Sequence, residues 1–394
     1  MGKLTDEEFR DFLKTCRELA EGPFEEMQRE VEVTNKFPQE FIDLARENNL
    51  YRYALPEEYG GWGFTEKEIL QVQEEFSRGP GGMRMHLHYA ADLNWRILDD
   101  YGCDELKAAY MDKFADKTIF TCFALTEQTG GTGADVHTTA TKDADGKIHI
   151  NGTKTWVTSG ENSDGFIVVC KDEDPSAENK EMSMYLVPAN SKGVTIEPLN
   201  KIGMQIMPFS KIIFDDVVVD ESALLGIKGK GFLQLMKNFE WERCVLLAEL
   251  LGEAQAAMDD ACAWVNERQQ FGKGIKTFQL VQEHIVEMQI ELTNTRNFLY
   301  RTCWKMDNGI PVNNDAAMLK RYGAPALTDC CSRALQLMGG LGFTDETRVS
   351  RLMLDCRGFQ IGGGTVEIMV HISGRGILKE YAKAAEDPDY LWTI

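Results

Sequence analysis

The sequence predicts a mixed α+β multi-domain protein: an N-terminal α-helical domain over residues 1–118, a central β domain over 119–230 and a C-terminal helical domain over 231–394. Three observations predict it. Apolar residues recur at spacings of three and four in the first and last parts of the chain. The middle part changes to short runs of β-branched and aromatic residues set apart by Gly, Asn, Asp and Pro. A length of 394 residues is more than one small core holds.

The opening MGKLTDEEFRDFLKTCRELAEG reads as an acidic amphipathic helix without the basic and apolar regions of a signal peptide. Helical spacing continues through Phe41, Ile42 and Ala45 to Leu106, Tyr110, Met111 and Phe114, with turns at LPEEYGGWGF (55–64) and SRGPGG (77–82). From residue 119, IFTCFALTE, KIHINGTKTWVTSG, DGFIVVCKD, EMSMYLVPA, GVTIEPL and SKIIFDDVVVD predict about six strands in a barrel or sandwich. Helical spacing returns near residue 231 and runs to YAKA.

The composition, 43% hydrophobic and 27% charged, is that of a globular chain. A formal net charge of -21 repels nucleic-acid phosphates and anionic lipid, so neither nucleic acid nor membrane is expected as a partner, and the expected location is cytoplasmic. An anionic cofactor remains compatible, because phosphates need only a few local cations or backbone N–H groups. The ten cysteines include no CxxC pair, which predicts free thiols and no metal. His86 and His88 stand two apart on a predicted helix, point to different faces and read as ordinary polar side chains.

No GxGxxG follows a strand and no GxxxxGK[ST] occurs, so neither nucleotide loop is supported. The Gly-rich turns TEQTGGTGAD (126–135), MGGLGF (338–343) and IGGGTVE (361–367) allow close backbone approach to a ligand, or are plain turns. Five segments decide between these readings: LPEEYGG, FALTEQTGGTG, INGTKTWVTSG, FDDVVVDESALLGIKGKGF leading to NERQQFGKGI, and QLMGGLGF followed by QIGGGTVEI. Their order and spacing resemble the acyl-CoA dehydrogenase family over most of the chain. The resemblance implies an N-terminal helical domain, a central β domain and a C-terminal four-helix bundle, with FAD between the domains and across a subunit contact of a homotetramer.

Carried over position by position, the resemblance implies flavin-ring contacts at Thr126 and Thr158, with Trp156 covering one face. Thr132 would stand near the FAD pyrophosphate and the CoA arm. Arg268, Gln270 and Phe271 would reach the FAD diphosphate of a neighbouring subunit. Gln336 and Gly340 match adenosine-side contacts, and Thr365 and Glu367 match positions bordering the FAD phosphates. Gln128 and Gly133 replace a Pro and an Asp of the family's loop, with Asp135 two residues on.

The reaction the resemblance implies removes Cα–H as a proton while Cβ–H leaves as hydride, so it needs a base. The family's usual glutamate position is occupied here by Gly363, which cannot take a proton. Some members hold the base on the long helix after the β domain, directly before an arginine, and here Glu242 precedes Arg243. Leu235, Phe239, Leu246 and Leu250 share its helix face, so the carboxylate is expected to project from an apolar stripe that raises its pKa. Arg243 and Gly363 are then expected beside the substrate. Asp92, in HLHYAADLNW, is either a solvated helix residue or an alternative base for 1,4-elimination on a cyclic ene-carboxyl-CoA.

FQLVQE, WKMDNG, DAAMLKRY and GRGILKEY make the chain most similar to crotonobetainyl-CoA reductase-like members of that family. This implies an acyl-CoA or enoyl-CoA substrate and electron-transfer flavoprotein as redox partner. The mix of His86, His88, Tyr89, Asp92 and Trp95 suits a short, polar, cyclic or cationic acyl group better than a long alkyl chain. A non-catalytic flavoprotein subunit, its base lost with Gly363, is the alternative from another class.

Overall fold

The computed structural model describes residues 3–34, 38–115, 119–131, 136–173 and 181–387, and divides into two compact units, 1–238 and 239–394. The first unit opens with helices α1 (Asp6–Glu21), α2 (Pro23–Thr34), α3 (Gln39–Glu47), α4 (Glu66–Phe76), α5 (Gly81–Leu87), α6 (Asn94–Tyr101) and α7 (Asp104–Ala115). Capping boxes start α1 and α4: Thr5 with Glu8 and Thr65 with Glu68 satisfy backbone N–H groups that a helix start leaves open. Between α5 and α6 the chain makes a π-helical turn, His88–Leu93. Such insertions are rare and often mark functional sites.

Strands β1 (Thr121–Ala124), β2 (Thr139–Lys142), β3 (Ile148–Thr158), β4 (Gly165–Asp172), β5 (Met182–Pro188), β6 (Val194–Pro198), β7 (Phe209–Val219) and β8 (Leu224–Leu225) follow. They form one sheet in the order β6-β7-β3-β2-β4-β5-β8, with β1 parallel to β4. The six predicted runs each contain a strand. β2 and β8 were not foreseen: TATK alternates weakly and ends exposed, and β8 is two residues long. β4, GFIVVCKD, is buried on both faces at its centre, as an unbroken apolar run requires.

Helix α8 (Gly231–Glu267) runs from the first unit into the second, which also holds a short hairpin of β9 (Gln269–Gln270) and β10 (Lys273–Gly274). Helices α9 (Gln279–Asp307), α10 (Asn313–Met338), α11 (Arg348–Asp355) and α12 (Val366–Glu386) complete it. α10 packs on both α9 and α12. Gly323 of α10 lets two helices close in: a Cβ there would stand 2.7 Å from both Leu247 of α8 and Thr295 of α9. Among the described residues no helix is long and apolar enough to cross a membrane.

Candidate active site

In the β domain, Thr126 follows β1, and its carbonyl accepts a 2.8 Å hydrogen bond from the Thr155 N–H of β3. Glu127, next in the chain, accepts from the backbone N–H groups of His137 and Thr138, from the Thr138 hydroxyl and from Lys154. This buried cluster fastens the 126–131 loop to β3. The β3–β7 register shifts between Lys154 and Val157, and Trp156 takes φ 55°, so the bulge turns its indole outward to 52% exposure. Thr158, half-buried, ends the strand, and Ser159 follows at φ 62°. β3 thus brings Thr126, through its bond to Thr155, and Thr158 to the neighbourhood of an exposed indole, residue types that suit a flat heteroaromatic ring rich in hydrogen-bonding atoms. Thr132, Gly133 and Asp135 lie outside the described residues.

In the second unit, Arg268, Gln270 and Phe271 occupy the exposed β9–β10 hairpin. Arg268 stacks 5.4 Å over Trp264, and Phe271 stands at its tip with φ 53° and 92% exposure. Gln336, in the last turn of α10, and Gly340 beyond it are exposed, with nothing near Gly340. Thr365 caps α12 by accepting from the Ile368 N–H. The exposed Glu367 follows in the first turn, its carboxyl held below the ordinary range by its own backbone N–H and the Thr365 hydroxyl.

Glu242 and Arg243 lie on α8 where the helix is buried all round from Trp241 to Leu250, not along one stripe as the spacing suggested; of the four stripe residues only Phe239 is half-buried. Burial pulls the Arg243 guanidinium below its ordinary value, with Glu242 and Glu240 acting against it. Gly363 has φ 65°. A Cβ built on it would stand 3.0 Å from Leu246 Cδ1, 3.2 Å from Lys320 Nζ and 3.5 Å from Glu242 Oε1. The structure therefore brings Glu242 and Gly363 together and adds Lys320, fully buried on α10 and bonded to the Gly362 carbonyl. Lys320 was missed because lysines are ordinarily solvated; the signal was its place among the buried Ala316, Ala317, Leu319, Gly323 and Ala324.

Asp92 corrects an expectation. It is not solvated but wholly buried in the π-helical turn, and its Oδ1 accepts from Arg96 Nε at 3.0 Å and Nη2 at 2.9 Å. Arg96 also pairs with Glu66 and lies 4.8 Å over Trp95. His86 and His88 are buried as well. His86 bonds Tyr51 at 3.2 Å and stacks on Phe120, while His88 meets Tyr89 edge-on. Among the described residues no three His, Cys, Asp or Glu come together as a metal site.

The chain thus runs through helical, β and helical parts in that order, with a buried carboxylate close to Gly363 in the second unit. The N-terminal, middle and C-terminal domain models of acyl-CoA dehydrogenase match residues 6–118, 122–217 and 229–378. The chain belongs to the acyl-CoA dehydrogenase family and is an oxidoreductase. It is 33% identical over 381 residues to "Probable acyl-CoA dehydrogenase YdiO" of Escherichia coli strain K12, covering 95% of this chain and 98% of that one. It is also 33% identical to the 3-(aryl)acrylate reductase of Clostridium sporogenes, covering 93% and 97%. Butyryl-CoA dehydrogenase from Megasphaera elsdenii superposes with a TM-score of 0.89 at 29% identity, covering 95% and 99%.

Proposed function

We propose that this chain is an FAD-dependent enzyme interconverting a 2-enoyl-CoA and its saturated acyl-CoA, working as a reductase on a compact polar, aryl or cyclic acyl group, with Glu242 as acid and base. The observation that carries this is the buried Glu242 carboxylate, whose Oε1 lies 3.5 Å from where a Cβ on Gly363 would stand. FAD is the cofactor and, when bound, supplies or takes up the hydride at Cβ. Glu242 gives a proton to Cα in reduction and removes it in oxidation. Burial excludes water from the carboxylate, so its proton goes to substrate rather than to solvent.

Thr126, Trp156 and Thr158 would hold the flavin ring, with Thr132 near the pyrophosphate and CoA arm. Arg268, Gln270 and Phe271 would serve a neighbouring subunit's FAD in a homotetramer, which agrees with a hairpin left this exposed. Gln336 and Gly340 would lie by the adenosine, and Thr365 and Glu367 by the phosphates. Arg243 and Gly363 would border the substrate. Three domains with boundaries near 118 and 230, a cytoplasmic location and electron-transfer flavoprotein as redox partner belong to the same reading. A relative named for reducing a 3-aryl acrylate supports a ring-bearing acyl group; the crotonobetainyl type stays beside it because of the helix segments quoted above.

The test is an anaerobic titration. Dithionite-reduced enzyme is mixed with crotonobetainyl-CoA, cinnamoyl-CoA and crotonyl-CoA, and oxidised enzyme with the saturated partners. Flavin reoxidation or bleaching by one pair, abolished in Glu242→Gln that still binds FAD, is the expected result. A spectrum unmoved by every pair would point to the non-catalytic reading instead.

A further inference from the structure

Lys320 is a buried cation that the chemistry above does not use. An ammonium withdrawn from water requires compensation, and the structure supplies two kinds. Its Nζ donates to the Gly362 carbonyl, and both Nζ and Glu242 Oε1 lie close to the point where a Cβ at 363 would stand, at 3.2 and 3.5 Å. The charged groups facing it are Glu242 and Arg243 of α8, with Glu240 acting on Arg243 from the same helix; residues 361–364 contribute no titratable side chain. Burial pulls the ammonium down to about 7, Glu242 opposes that and Arg243 adds to it, so Lys320 carries its charge on the acid side of neutrality. Such an influence is mutual: a carboxylate that favours the ammonium is itself favoured as an anion by it.

We propose that Lys320 is a positioning residue for Glu242: anchored on the Gly362 carbonyl beside Gly363, it holds the carboxyl group in its working place. The inference rests on Glu242 being the acid and base. Glycine at 363 then serves this arrangement, because a Cβ there would crowd the lysine Nζ at 3.2 Å, in contact with Glu242 at 3.5 Å.

The experiment compares wild type, Glu242→Gln, Lys320→Met and Lys320→Arg as FAD-loaded enzymes. It reads kcat and KM against pH, and the protonated-carboxyl infrared band that Glu242→Gln removes. Lys320→Met is expected to lower kcat about tenfold or more, with KM little changed. The acid limb and the infrared titration should both move up by about one pH unit, a tenfold change in the ionisation constant. Lys320→Arg should restore most of both. If Lys320→Met does not fold, Lys320→Gln against Lys320→Arg poses the same question, with the charged variant expected to be faster. Wild-type kcat and an unmoved titration in the neutral variants, with Glu242→Gln dead, would overturn the role of Lys320 while leaving Glu242 as the base. Equal slowing in the neutral and charged variants without a pH shift would also overturn it. Normal turnover in Glu242→Gln would instead bring down the reading beneath it.

Discussion

The Glu127 carboxylate lies 2.8 Å from the Lys154 ammonium, and neither side chain is more than 5% exposed. The pair does not stand alone. Lys154 also donates to the Leu125 carbonyl, and Glu127 collects two backbone N–H groups and a hydroxyl. Together they fix the stretch carrying Thr126 against the strand carrying Trp156 and Thr158, so the position of the proposed flavin contacts depends on a buried ion pair.

That dependence should appear as acid lability. Burial opposes ionisation of Glu127, but hydrogen bonds from Lys154 and Thr138 more than offset it and bring its pKa from 4.5 to about 2. A carboxyl depressed in the folded state stabilises the fold above its unfolded value, and that stability is lost as pH falls from about 4.5 towards 2. Glu127→Gln should flatten the pH dependence of urea unfolding in this window. Removing one partner, as in Lys154→Met, should cost about 3–5 kcal/mol at neutral pH, because a buried charge is left behind. A midpoint within error of wild type would contradict the structural role.

Asp92 is committed to Arg96, and this makes the 1,4-elimination reading testable. The aspartate lies in a π-helical turn four residues before its partner, with Glu66 on the guanidinium's other side. Asp92→Asn should destabilise the helical domain by about 3 kcal/mol or more, since Arg96 loses a buried counter-charge. Reduction of enoyl-CoA by whatever folded enzyme remains should continue. A well-folded Asp92→Asn enzyme that has lost all turnover would make Asp92, not Glu242, the base.

Much of this was legible in the sequence, and the omissions have physical reasons. The β-branched and aromatic runs of β4 and β7 announced themselves, because sheet burial dictates composition there. β2 did not: TATK is held by pairing with β3 and β4, which its own residues do not encode. Glu242 was found because it stands directly before Arg243 among apolar neighbours. Lys320 and the Asp92–Arg96 pair were not, since long charged side chains are solvated by default. Only the fold shows that α10 points its lysine inward. The i,i+4 spacing of Asp92 and Arg96 was a signal, but one shared with countless surface pairs.

The glycine at 363 gives the sharpest local prediction, because its neighbour Gly364 serves as a control. Both have positive φ, 65° and 88°, so alanine at either should cost about 1 kcal/mol in backbone strain. Their surroundings differ. At 364 a Cβ crowds the flexible end of Met369, at 2.9 Å, and makes ordinary contact with Ile368 at 3.8 Å. At 363 it meets Leu246 at 3.0 Å and the Lys320 ammonium at 3.2 Å, beside Glu242 at 3.5 Å. Leu246 is packed in the helix interior, and Lys320 is tied to the Gly362 carbonyl, so neither yields easily. Gly363→Ala should therefore lose about 1–3 kcal/mol more stability than strain alone. Its kcat should fall well below that of Gly364→Ala, whose turnover stays close to wild type. Unfolding midpoints and kcat for both variants measured side by side decide it: equal kcat losses would mean that the loop's backbone, not the space between Lys320 and Glu242, is what the reaction requires.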